Sequence, residues 1–200
     1  TATSLLYRFL VKMGARVSYY IPERQSEGYG LNLEALEHII SDGAFLVITV
    51  DCGISSYDIV EAVCDRIDII ITDHHTAPPQ IPPARAVINH KQPDCPYRDK
   101  NLSGVGVAFK LCQALWLRQC GEWYLDDLDI VALGTVADVV PLVGENRIIV
   151  QAGLKKMNEL PNLGIDKLID VAGLHDKTIT AGHIGFTLAP RLNAAGRVTH

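Results

Sequence analysis

Between residues 45 and 75 the chain shows the same pattern twice: a short β-branched apolar run that ends in acidic or imidazole side chains. Phe45-Leu46-Val47-Ile48-Thr49-Val50 leads into Asp51-Cys52-Gly53, and Ile67-Asp68-Ile69-Ile70-Ile71-Thr72 into Asp73-His74-His75. Runs of this length between turn residues predict buried strands, with a helical segment joining them. Upstream, the apolar spacing from Thr1 to Val11 predicts a helix stopped by Gly14, and the alternation over Ala15 to Ile21 predicts a strand. A polar loop follows over Pro22 to Gly30, then a helix capped by Asn32 and running to Ile40, ended by Ser41-Asp42-Gly43. Ser55 with Asp58 resembles a capping box for a helix reaching about Arg66. After the second run come a proline-stiffened loop at 78–83 and a short strand, Ala86 to Ile88. This alternation predicts an α/β fold: a mostly parallel sheet with helices on both faces and right-handed crossovers.

From about Ser103 the periodicity turns helical. Helices are predicted over Val107 to Cys120 (stopped by Gly121), Leu128 to Val139, Asn146 to Leu160, Gly164 to Ala172, and Thr180 to about Arg197. The Leu128 helix is apolar nearly all round, which predicts burial. Residues 1–100 therefore form an α/β part and residues 101–200 a mainly helical part of one domain.

Composition narrows this picture without redirecting it. At 200 residues, 48% hydrophobic and 20% charged, the chain suits a soluble globular domain with a real core. No apolar stretch is long enough to span a bilayer, so a membrane partner is not expected. A net charge of −5 gives no global attraction to nucleic acid, so phosphate binding has to be local or metal-mediated. The 5 cysteines lack C-x-x-C spacing and fit a reducing cytosol, where all are expected as small buried hydrophobes.

Ligands of parallel sheets bind in the crevice beyond the carboxyl ends of the strands, which brings Asp51, His74 and His75 together. Carboxylate plus imidazole is a ligand set for Mn²⁺, Fe²⁺ or Zn²⁺. Taken alone, Asp51 could equally cap the helix that follows it. Neighbours in extended chain point to opposite faces, so His74 and His75 need not serve the same ion. Asp138 is the third candidate. It interrupts an apolar helix end, where the helix dipole disfavours an anion and a cation partner would repair the mismatch. Asp126, Asp127 and Asp129 read instead as a solvated helix start. Arg24 and the Gly28-Tyr29-Gly30 turn are candidate backbone contacts for nucleic acid, and an ordinary surface turn accounts for them equally well. Ser103 and Gly104 either offer helix N-terminal amides to a phosphate or serve close packing. Arg191 and Arg197 either face the cleft or are solvated.

These residues carry a family resemblance. Val50-Asp51-Cys52-Gly53, Asp73-His74-His75, Ser103-Gly104-Val105-Gly106-Val107-Ala108 and Gly134-Thr135-Val136-Ala137-Asp138 resemble, in order, motifs of the DHH phosphoesterase superfamily. The last two, with Gly28-Tyr29-Gly30-Leu31 and Arg191-Leu192-Asn193-Ala194-Ala195-Gly196-Arg197, are similar to its RecJ branch of single-strand-specific 5′→3′ DNA exonucleases. The resemblance implies a DHH domain over residues 1–200 and two Mn²⁺ ions in the intact enzyme, with Mg²⁺ as a substitute. Asp51 is then expected to bridge the metals, His74 and Asp138 to hold one of them, and His75 to stand near the scissile phosphate. It further implies single-stranded DNA as substrate, a single-strand-binding protein and a helicase as partners, and a cytoplasmic role in DNA repair and recombination.

One departure stands beside the match. The superfamily's first motif, Asp-x-Asp-Gly, precedes the first helix and supplies further ligands, whereas this sequence begins at Thr1, already within that helix. The expectation is a fragment cut at both ends and not catalytically competent alone. Two alternatives remain: an oligoribonuclease or nucleotide phosphatase of the same superfamily, and a non-catalytic DHH-fold replication scaffold. The scaffold is expected to lose ligands, and Asp51, His74, His75 and Asp138 are all present.

Overall fold

Alternating side chains along a short parallel sheet divide the hydrophobic core in two. In the computed structural model, which describes residues 1–22 and 30–195, strands β1 (Leu46–Val50), β2 (Asp68–Thr72) and β3 (Ala86–Ile88) lie side by side in that order. Both pairings are parallel, with Val47 opposite Ile69, Val50 opposite Thr72, and Ile71 opposite Val87. The strand period of two sends Val47, Ile69, Ile71 and Val87 to one face and Ile48, Val50 and Ile88 to the other. The first face meets the smaller core, with Leu36 of α2 (Leu33–Ser41) and Val60 of α3 (Tyr57–Glu61). The second meets the larger core, built from α1 (Ala2–Lys12), α4 (Gly104–Cys120), α5 (Leu128–Ala137) and the helices after them. The sheet thus has helices on both faces, as the apolar periodicity predicts.

The remaining elements are α6 (Gly144–Glu159), α7 (Leu163–Val171), a single turn α8 (Ala181–His183), a five-residue π-helix (Ile184–Leu188) and α9 (Ala189–Ala195). The helix ends at Asn32 and Gly121 follow the sequence signals, and Ser103 adds a cap that starts α4 at Gly104, ahead of the predicted Val107. Asn32 accepts from the Ala35 amide, Ser103 accepts from the Gly106 amide, and Gly121 ends α4 in the left-handed conformation at φ 77°. Among the described residues no helix is long and apolar enough to cross a membrane.

Four expectations need correction. Ala15 to Ile21 joins no ladder among the described residues; the Tyr19 ring packs edge-on against Tyr7 of α1 at 5.5 Å instead. Alternation marks a surface that could be a strand, but pairing depends on a neighbouring edge. The Ser55–Asp58 capping box does not form. Ser56 is the N-cap, without a side-chain bond, and α3 spans Tyr57–Glu61 rather than reaching Arg66. Asp127 and Asp129 are buried, not solvated. Asp127 accepts from Arg8 Nε at 3.0 Å and from the Tyr124 hydroxyl, and Asp129 accepts from the Ile130 and Asn162 amides. Finally, Cys112 is buried but Cys64 and Cys120 are exposed. The helices predicted over Leu128 to Val139 and from Thr180 onward differ only at their ends and in the π-helical turn.

Candidate metal centre

Asp51 and Asp73 occupy equivalent places, each one residue past the end of its strand. The Asp51 amide still donates to Thr72 O at 2.9 Å and the Asp73 amide to Ile88 O at 3.1 Å, so both belong to the ladder while their side chains leave it. Their environments then diverge. Asp51 turns into the left-handed region at φ 62°, a conformation that Asp tolerates better than most residues. Asp73 is buried, and its carboxylate accepts from the amides of Ile54 (3.0 Å), His74 (2.7 Å) and His75 (3.2 Å). It also accepts from Nδ1 of His75 at 2.7 Å. A carboxylate only accepts here, so His75 Nδ1 carries a proton and Nε2 is left for other work.

His74 points the other way. Its Nε2 lies 3.1 Å from Asp51 Oδ1 and 3.4 Å from Asp138 Oδ2, with the side chain 9% exposed. The Asp51–His74 approach brings opposite charges together without hydrogen-bond geometry. Asp51 Oδ1 and both His74 ring nitrogens are accordingly buried polar atoms with no hydrogen-bond partner. Ligand atoms of Asp51, His74 and His75 all lie within 4.8 Å of one another. The His74 and His75 rings meet at a tilt of 58° with 4.5 Å between centroids.

Asp138 reaches this cluster from the far side of the larger core. It caps the C-terminus of α5, where its amide donates to Gly134 O at 3.0 Å. The unfavourable dipole of that helix end is eased by the amide of Gly104, the first residue of α4, which lowers the Asp138 pKa against the rise that burial causes. Gly104 also backs onto Asp51: a Cβ at residue 104 would lie 2.0 Å from Asp51 Oδ1. Only glycine leaves room for the Asp51 carboxylate at this junction.

The electrostatics match the geometry. Burial works against the His74 cation, but the Asp51 and Asp138 carboxylates outweigh it, so its pKa lies above the ordinary 6.5. Burial raises the Asp138 pKa, and Asp51 adds to the rise against the opposing pull of His74. Burial, then the nearby Asp73 and Asp51 charges, push the Cys52 thiol up to about 11, and the thiol is not part of the close-set ligand group. Two carboxylates and an imidazole, close-set and partly buried, with Asp51 Oδ1 and the His74 ring nitrogens lacking hydrogen-bond partners, fit a divalent cation of borderline character.

The strands thus bring Asp51, His74 and His75 together, and α5 adds Asp138. Ser103 is fully buried, and its hydroxyl is shared between the Gly106 amide and Thr135 Oγ1, 2.9 Å away. Arg191 is exposed and donates to Thr187 O at 2.8 Å, one turn back in its own segment. Arg24 and Arg197 lie outside the described residues, as do Gly28 and Tyr29. The sequence reading gave Asp73 no role of its own. An acid that directly follows a buried strand and precedes two imidazoles was the available signal for a residue that orients them.

Fold and site together define an α/β domain with a carboxylate–imidazole cluster at the carboxyl ends of a parallel sheet. The family model described as "DHH family, N-terminal domain" matches residues 1–135, and the chain belongs to the DHH family. It is 44% identical over 199 residues to the single-stranded-DNA-specific exonuclease RecJ of Bacillus subtilis (strain 168), covering 99% of this chain and 25% of the relative. It is 38% identical over 200 residues to the protein of the same name from Thermus thermophilus, covering 99% and 29%. Among solved structures, an exonuclease RecJ bound to manganese superposes with a TM-score of 0.88 at 35% identity, over 98% of this chain and 49% of that one. RecJ from Thermus thermophilus in complex with Mn²⁺ gives 0.81 at 33% identity, over 98% and 28%. The chain therefore spans about a quarter of the length of the Bacillus relative.

Proposed function

We propose that this chain is the metal-binding core of a RecJ-like exonuclease that hydrolyses single-stranded DNA from the 5′ end. The observation that carries the reading is the set of buried, unpartnered ligand atoms, Asp51 Oδ1 and His74 Nε2, with Asp138 Oδ2 beside them. Added support comes from relatives whose names specify single-stranded DNA and from similar structures containing manganese or magnesium. In this proposal Asp51, His74 and Asp138 hold Mn²⁺, or Mg²⁺ in its place. Bound there, a divalent ion supplies Lewis-acid chemistry, offsetting charge that develops on the phosphoryl and leaving oxygens and lowering the pKa of water.

The chain's own groups have separate tasks. Asp73 locks His75 in the Nδ1–H tautomer, which leaves Nε2 facing away from that anchor. When protonated, Nε2 can donate to a non-bridging phosphate oxygen as its charge grows. Gly104, lacking a side chain, leaves Asp51 in place, and its amide favours the Asp138 anion. Ser103 supports this junction from within the core rather than touching substrate. Arg24, Arg191 and Arg197 are proposed contacts for the DNA backbone, a task suited to the planar guanidinium. A single-strand-binding protein and a helicase as partners, and a cytoplasmic role in repair and recombination, belong to the same proposal.

The test is Mn²⁺-dependent digestion of 5′-labelled single-stranded DNA by the complete protein, with Asp138→Ala as control. Loss of long single strands from the 5′ end, spared duplex and an inactive variant are expected. Cleavage confined to dinucleotides would move the protein to the short-oligonucleotide branch. Hydrolysis of neither substrate would make the scaffold the better account.

A further inference from the structure

Among the described residues, only Asp51 and Val139 are non-glycine residues with positive φ, at 62° and 57°. Both belong to the metal centre: Asp51 is a proposed ligand, and Val139 directly follows another, Asp138. The Asp51 conformation has a local reason, since Asp tolerates the left-handed region and its carboxylate is used. Val139 has none within the fold. A β-branched side chain clashes with its own backbone at this φ, so asparagine or glycine would make the same turn at lower cost. The valine recovers nothing by burial either, because it is 87% exposed.

A lone exposed apolar residue is ordinary. An exposed one in a conformation that disfavours its own side chain is a local conflict, and such conflicts concentrate at functional positions. The turn itself is well fixed. The Val139 amide donates to Val136 O at 3.2 Å, the Asp138 amide donates to Gly134 O at 3.0 Å, and the Asp138 carboxylate lies 3.4 Å from His74 Nε2. The isopropyl group is therefore carried on a rigid corner one residue from the carboxylate. On a nucleic-acid substrate, the apolar surface nearest a bound phosphate is that of the adjoining sugar and base.

We infer that Val139 is a substrate-contact residue, packing against the deoxyribose or base edge of the nucleotide next to the scissile phosphate. The inference rests on the nuclease reading proposed above. It assigns Val139 an apolar, sequence-tolerant grip on a single strand that complements the electrostatic grip on its backbone.

The test compares wild type with Val139→Asn and Val139→Gly in the complete protein. Binding of a fluorescein-labelled oligothymidylate is followed by anisotropy in EDTA, and thermal unfolding is measured alongside. The expected result is a roughly fivefold or greater loss of affinity in both variants, the scale of one or two buried methyl groups. The melting temperature of Val139→Asn should equal or exceed that of wild type, because asparagine accepts the left-handed turn. Unchanged affinity in both variants would overturn the inference while leaving the nuclease reading intact. A lower melting temperature for Val139→Asn would also overturn it, because the valine would then serve the fold. Failure of wild type to bind the oligonucleotide both in EDTA and in Ca²⁺, which restores metal-mediated contacts, would overturn both readings together.

Discussion

Two groups of acidic side chains flank the larger core, and they are treated in opposite ways. Between α1 and α5, Asp127 is 3% exposed and fully engaged by Arg8 and the Tyr124 hydroxyl, with the Tyr124 ring packed on Phe9 at 4.9 Å. Asp129, two residues further on, is satisfied by two backbone amides. At the strand ends, Asp51 and Asp138 converge on His74, leaving buried ligand atoms without hydrogen-bond partners. Buried polar groups that serve the fold mostly find partners inside it. Among the described residues single unpartnered atoms also occur at Asn32, His90 and Asn146, but only around His74 do three gather, and such a cluster suits a ligand from outside. Asp73 extends the contrast into the site itself. It is a fully satisfied carboxylate whose four donors fix the loop that carries His75 and the unsatisfied His74.

The contrast is most easily broken at Gly104. Gly104→Ala drives a methyl group against Asp51, and is expected to abolish Mn²⁺ binding by calorimetry and lower DNA digestion by about 100-fold, as for a misplaced reacting group. Retention of both would mean that Asp51 is not held where the metal needs it. Next in size is a paired measurement on the metal-free protein. Asp127→Asn should lower unfolding stability by about 2 kcal/mol, having broken a buried, charge-assisted contact with Arg8. Asp138→Asn should fall within about 0.5 kcal/mol of wild type, since it removes both an attraction to His74 and a repulsion from Asp51. Equal losses in the two variants, read from urea titrations, would erase the distinction between the two groups. Ser103→Ala removes a helix cap and its bond to Thr135, and should cost about 1 kcal/mol by the same measurement, with a smaller loss of activity than Gly104→Ala.

The smallest effect is a pH dependence. The folded state raises the His74 pKa above 6.5, so the stability it contributes is full below 6.5 and disappears as pH rises through the folded value. Asp138, also raised, has the same sign in its own window above 3.8. The metal-free melting temperature should therefore drift down above pH 6.5. Mn²⁺, which needs the neutral imidazole, should stabilise more as pH rises through the same range. A stabilisation by Mn²⁺ that is flat with pH would remove His74 from the ligand set.

Much of this was legible before any coordinates. A β-branched run interrupted by an acid says both where a strand lies and where it ends, so Asp51 and Asp73-His74-His75 could be placed at one edge of a sheet. The cap at Asn32 was legible for a similar reason, because it acts on an amide three residues away, whereas the cap at Ser103 was not read from the sequence. The Ser55–Asp58 box failed where local signals compete, with Ser56 beginning a helix too short to need it. Asp127 and Asp129 were misread because Leu-Asp-Asp-Leu-Asp looks solvated when its partners, Arg8 and Asn162, lie 119 and 33 positions away.

By itself, then, the chain's order of apolar and polar residues determined the parallel α/β plan, most helix positions and the candidate ligands. These depend on periodicities and contacts over a few residues. Only the tertiary structure decided which carboxylates are paired and which are left open, because burial and pairing are properties of the neighbours that folding supplies. It alone set Gly104 against Asp51 and turned Asp73 into the anchor of His75. It also put Val139 into a strained, exposed turn beside the site, since backbone strain persists only where the surrounding contacts hold it.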